Sequence, residues 1–165
     1  MAVAEGLDRA AFVARFGDVV EYSPWVAEAA YGEAPFADLA ALQAAFAAVL
    51  RAAPRERQLE VLRAHPDLAV HERGGQELTA ESASEQAGAG LDALPDAERL
   101  AFAAELDAYR ERFGFPFIAC VRDHGGKGLR ELLAERIGGE PEAELALALS
   151  EVCAIAGHRL ADLVE

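Results

Sequence analysis

The chain has 165 residues, 53% of them hydrophobic but only 7% aromatic, enough to bury one sizeable core and too short for several independent domains. Fifteen basic residues stand against twenty-nine acidic ones, a net charge of −14 that repels nucleic-acid phosphates and anionic membrane surfaces. Met1–Asp8 lacks the basic and apolar regions of a secretory signal, and no apolar run approaches the roughly 20 residues that span a bilayer, so a cytoplasmic protein is expected.

The apolar content is largely Ala and Leu, and the β-branched residues never form an alternating run, which predicts an all-α fold. In chain order, Asp8 is placed to cap a short helix carrying Phe12 and Phe16 and closed by Gly17. Ser23-Pro24-Trp25 reads as an N-cap, a proline at the first helical position, and the start of a helix that ends at Gly32 and buries Trp25. Phe36, Leu39, Leu42, Phe46, Val49 and Leu50 fall on one helical stripe. Pro54 breaks that helix and opens the next, which must stop near Ala64 because Pro66 disfavours the helical region for the residue before it. His65 is therefore expected at a helix C-terminus.

After a polar, glycine-containing loop, Ser82 to Glu85 has the form of a capping box. Asp96 begins a helix with Leu100, Phe102, Leu106 and Tyr109, ended by Gly114. Phe115 to Val121 is apolar, short and proline-containing, and fits either an extended buried segment or an irregular helix start. Leu129 to Ile137 and a long final helix from Pro141 to Leu163 or Val164 complete a compact single-domain bundle of about seven or eight helices. Cys120 and Cys153 have no metal-ligand spacing and sit among apolar neighbours, as buried reduced thiols do.

Three places carry possible chemistry. His65 has the side chain best suited to proton transfer near neutral pH, although capping the helix end would also explain it. The capping box accounts for Ser82 and Glu85 but not for Gln86 or the small run Gly88-Ala89-Gly90, which permits close approach of a backbone or ligand. Arg159 interrupts the stripe Leu145, Leu149, Val152, Ala156, Leu163 on the last helix. A buried guanidinium there needs a carboxylate, a ligand anion or an escape to the helix edge, and Asp162 offers a solvated partner. The run Gly125-Gly126-Lys127-Gly128 lacks the spacing and hydroxyl of a phosphate loop, and His65 with His71 matches no recognised metal spacing, so no metal is expected.

Taken together, Ser23-Pro24-Trp25-Val26-Ala27, Ala64-His65-Pro66-Asp67-Leu68, Leu78-Thr79 to Glu85-Gln86 with Ala89-Gly90-Leu91, Arg112 to Ile118, and Arg159-Leu160 resemble the 2-oxo-4-hydroxy-4-carboxy-5-ureidoimidazoline (OHCU) decarboxylase family across nearly the whole chain. The resemblance implies an all-helical enzyme of urate catabolism that needs no cofactor, often a homodimer, acting on a small anionic ureidoimidazoline. It implies His65 as the essential acid or base, Glu85 orienting it, and Arg159 holding an anionic oxygen. Ser82 and Gln86 would hydrogen-bond the heterocycle, Pro66 would line the pocket, and the backbone of Phe117, Ile118, Ala119, Cys120 and Val121 would contact the ring. A helical binding module without activity, or a cofactor-free enzyme for another ureido or keto acid, are the alternatives. Gly157-His158 stands where the family usually has an apolar residue before the arginine, and a glycine inside the final helix lowers helix propensity there.

Overall fold

The computed structural model describes residues 3–66, 95–124 and 128–165. Among them are eight α-helices, as the all-α expectation requires, and the chain divides into two compact units.

The first unit comprises Met1–Ala64 and Val152–Glu165. Helix α1 (Arg9–Phe16) is capped by the Asp8 carboxylate, which accepts from the Ala11 amide at 2.8 Å. It points Phe12 and Phe16 to one side, and Phe12 becomes the centre of an aromatic cluster with ring centroids at 4.8 Å to Phe16, 5.3 Å to Tyr31, 5.8 Å to Phe36 and 6.5 Å to Phe46. Gly17 closes the helix in a right-handed conformation, and its lack of a side chain matters sterically, because a Cβ there would lie 2.5 Å from the Val13 carbonyl oxygen.

Helix α2 (Trp25–Ala30) runs into a 3-10 turn at Tyr31–Glu33, matching the expected end near Gly32. Its start differs from the expectation: the Ser23 hydroxyl donates back to the Glu21 carbonyl at 3.0 Å instead of capping, and Pro24 precedes the first helical residue. Trp25 is half-buried, with the Arg57 guanidinium 5.0 Å above its ring. Helix α3 (Leu39–Ala52) is capped by Asp38 through the Ala41 amide at 2.8 Å, and buries Leu42, Ala45, Phe46 and Leu50. Phe36, read from the sequence as the head of this stripe, lies before the helix and pairs with Val3 through a single β-bridge, yet reaches the same core. Helix α4 (Arg55–Ala64) follows Pro54, and Gln58 donates to the Leu50 and Arg51 carbonyls that α3 leaves unsatisfied at its end.

The second unit comprises His65–Glu151. Helix α5 (Asp96–Phe113) buries Phe102, Leu106 and Tyr109, whereas Leu100 is 63% exposed. Leu100 stands two residues before Phe102, close to half a turn round the helix, so it cannot share that stripe. Gly114 ends α5 at φ 80°, a left-handed conformation natural to glycine, its amide donating to the Arg110 carbonyl at 2.8 Å. Residues 115–120 then run outside any helix and wholly buried. The segment is not helical before Val121, since Pro116 has no amide proton to give a helix and disfavours a helical Phe115. Helices α6 (Val121–His124) and α7 (Leu129–Arg136) follow.

The last helix, α8 (Pro141–Val164), belongs to both units and remains helical through Gly157, whose carbonyl accepts from the Gln43 side chain at 2.8 Å. Among the described residues no helix is long and apolar enough to cross a membrane. The central place of Phe12 has a measurable consequence. Phe12→Ala should cost about 3–5 kcal/mol in urea denaturation, against roughly 0.5 kcal/mol or less for Leu100→Ala on the exposed face of α5.

Candidate active site

His65 directly follows the last residue of α4 and is half-buried, while Pro66 beside it is buried. The His65 Nδ1 atom lies 3.3 Å from the Pro66 carbonyl oxygen. A carbonyl only accepts, so this contact places the proton of a neutral imidazole on Nδ1 and makes Nε2 the basic nitrogen. Ser82, Glu85 and Gln86, expected to join His65, lie outside the described residues, as does His71.

Arg159 is 1% exposed. Of the three resolutions open to a buried guanidinium, the structure supplies a carboxylate, and it comes from far away in the chain: Nη2 lies 3.1 Å from Glu21 Oε1, and Nη1 donates to the Val19 carbonyl at 2.9 Å. Both side chains of the pair are essentially inaccessible to water. Such a pair fixes the plane of the guanidinium, and losing either member would take an opposite charge away from a buried one. Arg159 and Glu21 belong to the first unit, His65 and Pro66 to the second.

The segment Phe117 to Val121 is held by groups that sequence reasoning did not single out. Arg136 Nη1 donates to the Ile118 carbonyl at 2.6 Å. The same guanidinium is paired with Glu144, at 2.7 Å from Nε and 2.6 Å from Nη2, and sits 4.6 Å from the centroid of the Phe117 ring. The Tyr109 hydroxyl donates to Glu144 as well. Burial, reinforced by that hydrogen bond, pushes the phenol well above its ordinary range and keeps it a donor. Two residues further on, the Cys120 amide donates to Glu151 Oε2 at 3.1 Å, and Glu151 Oε1 lies 2.7 Å from His124 Nε2. Burial pushes the Cys120 thiol up to about 11, which leaves it a poor nucleophile. Both cysteines are free thiols, Cys120 buried and Cys153 half-buried.

A signal for two of these groups was present in the sequence. Glu144, Ala148, Glu151 and Ile155 step by four, three and four, a second helical row beside the leucine stripe, and all four are buried. Acidic residues on a buried row demand partners in the same way that Arg159 does.

The family model for OHCU decarboxylase matches residues 5–161. A protein of Halalkalicoccus jeotgali named 2-oxo-4-hydroxy-4-carboxy-5-ureidoimidazoline decarboxylase is 45% identical over 94% of this chain and 86% of its own length. The protein of that name from Mus musculus is 41% identical over 99% of this chain and 92% of its own. Among solved structures, that of (S)-allantoin synthase superposes with a TM-score of 0.74 at 31% identity, covering 96% of this chain. This chain spans about half of that one, 51%. A crystal structure of OHCU decarboxylase in the presence of (S)-allantoin shares the fold, with a TM-score of 0.66 at 20% identity over 85% of this chain and 90% of the other. The chain belongs to the OHCU decarboxylase family.

The pairing of Arg159 with Glu21 sets a stability test. Glu21→Ala should destabilise the fold by about 3–5 kcal/mol, because it takes a carboxylate away from a buried guanidinium, whereas Glu21→Leu combined with Arg159→Met should recover most of that loss. Urea melts of the single and double variants measure the difference.

Proposed function

We propose that residues 1–165 act as one OHCU decarboxylase-like domain, converting 2-oxo-4-hydroxy-4-carboxy-5-ureidoimidazoline to (S)-allantoin in urate catabolism. The observation that carries this reading is the family match across residues 5–161, together with 45% identity to a decarboxylase of that name.

The chemistry suits a protein that supplies only proton transfer and charge. When the bond between the carboxylate and the hydroxyl-bearing carbon breaks, CO₂ leaves and the electron pair forms a double bond to the neighbouring imine carbon, whose nitrogen takes up a proton. The hydroxyl then gives up its proton to form a carbonyl, and the former imine carbon is protonated on one face. The substrate is thus its own electron sink, and we assign the reaction no cofactor and no metal.

On this reading His65 takes the hydroxyl proton at Nε2, the nitrogen left basic by the Pro66 contact, and Glu85 orients the ring and balances its positive charge. Arg159 stabilises the oxyanion that develops as the hydroxyl ionises. Charge drains out of the carboxylate as CO₂ forms, so a cation lowers the barrier only where negative charge grows. Glu21 keeps that guanidinium in a fixed plane. Ser82 and Gln86 hydrogen-bond the heterocycle, Pro66 lines the pocket, and the backbone of Phe117 to Val121 receives the ring. The small anionic substrate is the partner that matters, a homodimer in the cytoplasm is the setting the family resemblance supports, and the charge of −14 argues against nucleic acid.

His65→Ala tests the assignment. With substrate generated in the cuvette by urate oxidase and hydroxyisourate hydrolase, the variant should lose the chiral signal of (S)-allantoin formation, by about 10²-fold or more, while its helical circular dichroism is unchanged. A variant as fast as the parent would remove His65 from the mechanism.

A further inference from the structure

Residues 118–120 are gripped from two sides by the same helix. Near its start α8 carries Glu144, which holds Arg136 and through it the Ile118 carbonyl. Two helical turns later it carries Glu151, which takes the Cys120 amide directly. Seven residues of helix rise about 10 Å, so α8 is a rigid bar with two fixed anchor points against which the buried segment is laid. The Cys120 carbonyl is engaged too, accepting from the Asp123 amide at 3.0 Å and the His124 amide at 3.2 Å, which ties the segment to the start of α6.

Ala119 lies between the two anchors and is buried, 5% exposed. Among the described residues neither its amide nor its carbonyl has a hydrogen-bond partner. Buried peptide groups in native proteins almost always find one, and here the clamps on either side prevent the segment from rotating to seek it. An amide donor and a carbonyl acceptor presented by one residue complement a small heterocycle with alternating N–H and C=O groups, the chemical character of a ureidoimidazoline.

We propose that Glu151 and Arg136 are positioning residues, which hold the peptide groups of Ala119 in the register that receives the substrate ring. This rests on the decarboxylase reading. Neither residue touches the reacting atoms. Glu151 acts through the Cys120 amide and is itself held by His124, and Arg136 acts through the Ile118 carbonyl and is held by Glu144 and the faces of Tyr109 and Phe117.

Contacts from a fixed backbone to the ring are made equally in the ground state and the transition state, so their loss belongs in KM and not in kcat. Glu151→Ala should therefore raise KM, and the inhibition constant of added (S)-allantoin, by about tenfold, with kcat within about threefold of the parent. Glu151→Gln keeps an oxygen for the Cys120 amide and should restore both constants to within about threefold. Glu151→Asp keeps the charge but withdraws it by one methylene, and should fall between the two. It also serves as the test if the alanine variant does not fold. A merely structural role would lower kcat per mole of protein together with the thermal midpoint and leave KM alone. That pattern would overturn the proposal, as would an unchanged KM in a folded Glu151→Asp or Glu151→Ala variant, or a glutamine variant no better than alanine. If the parent protein itself made no (S)-allantoin, the functional reading would fall and this inference with it, whereas a fast parent with indifferent variants would sink the positioning role alone.

Discussion

Charge buried along the final helix is the constraint on which the rest of the described structure depends. A helix whose apolar residues are mostly Ala and Leu would slide readily against its neighbours, since one apolar contact is much like another. Glu144, Glu151 and Arg159 remove that freedom, because each is buried and each must meet its partner or cost several kcal/mol. The partners are specific: Arg136 and Tyr109 for Glu144, the Cys120 amide and His124 for Glu151, Glu21 and the Val19 carbonyl for Arg159. The polar pairs thus dictate register within each unit, while an aromatic cluster around Phe12 in the first unit and one of Tyr109, Phe113, Phe115 and Phe117 in the second pack beside a mainly aliphatic core.

Seen this way, the structure separates holding from reacting. The proposed chemistry asks for few groups, because the substrate accepts its own electron pair, but it asks that those groups stay where they are to a fraction of an ångström. A guanidinium fixed by a buried carboxylate, an imidazole whose protonated nitrogen is set by a neighbouring carbonyl, and a backbone segment anchored at two peptide groups are three ways of meeting that demand with side chains that do not themselves react. The helix runs through Gly157 without a break, and Gln43 reaches its carbonyl.

What the sequence revealed followed from how local the cause was. Asp8 capping α1, Gly114 ending α5 in the left-handed region, the break imposed by Pro66 and the span of α8 all depend on residues within one or two turns, and all can be read directly. Misreadings arose where distance in sequence mattered. Ser23 looks like a cap, but its hydroxyl turns back to the carbonyl of Glu21, a residue whose side chain is set by Arg159, 138 positions away. Phe36 fits the helical stripe that follows yet joins the core from a β-bridge with Val3. The segment after Gly114 was ambiguous because apolar content is equally consistent with buried helix and buried strand, and what stabilises it, Arg136 and Glu151, lies 18 and 31 residues on. Of the candidate site, His65, Pro66, Arg159 and Phe117 to Val121 are placed, and Ser82, Glu85 and Gln86 lie outside the described residues.

The central claim is that this chain turns over one chiral product from an unstable precursor. The most direct measurement is the circular dichroism of a solution in which urate oxidase and hydroxyisourate hydrolase have just exhausted urate, followed with and without the wild-type protein. The account predicts a rapid rise of the (S)-allantoin signal that scales with enzyme concentration, set against a slow and optically silent background. A signal that never exceeds that background, from protein whose helical spectrum is intact, would contradict it.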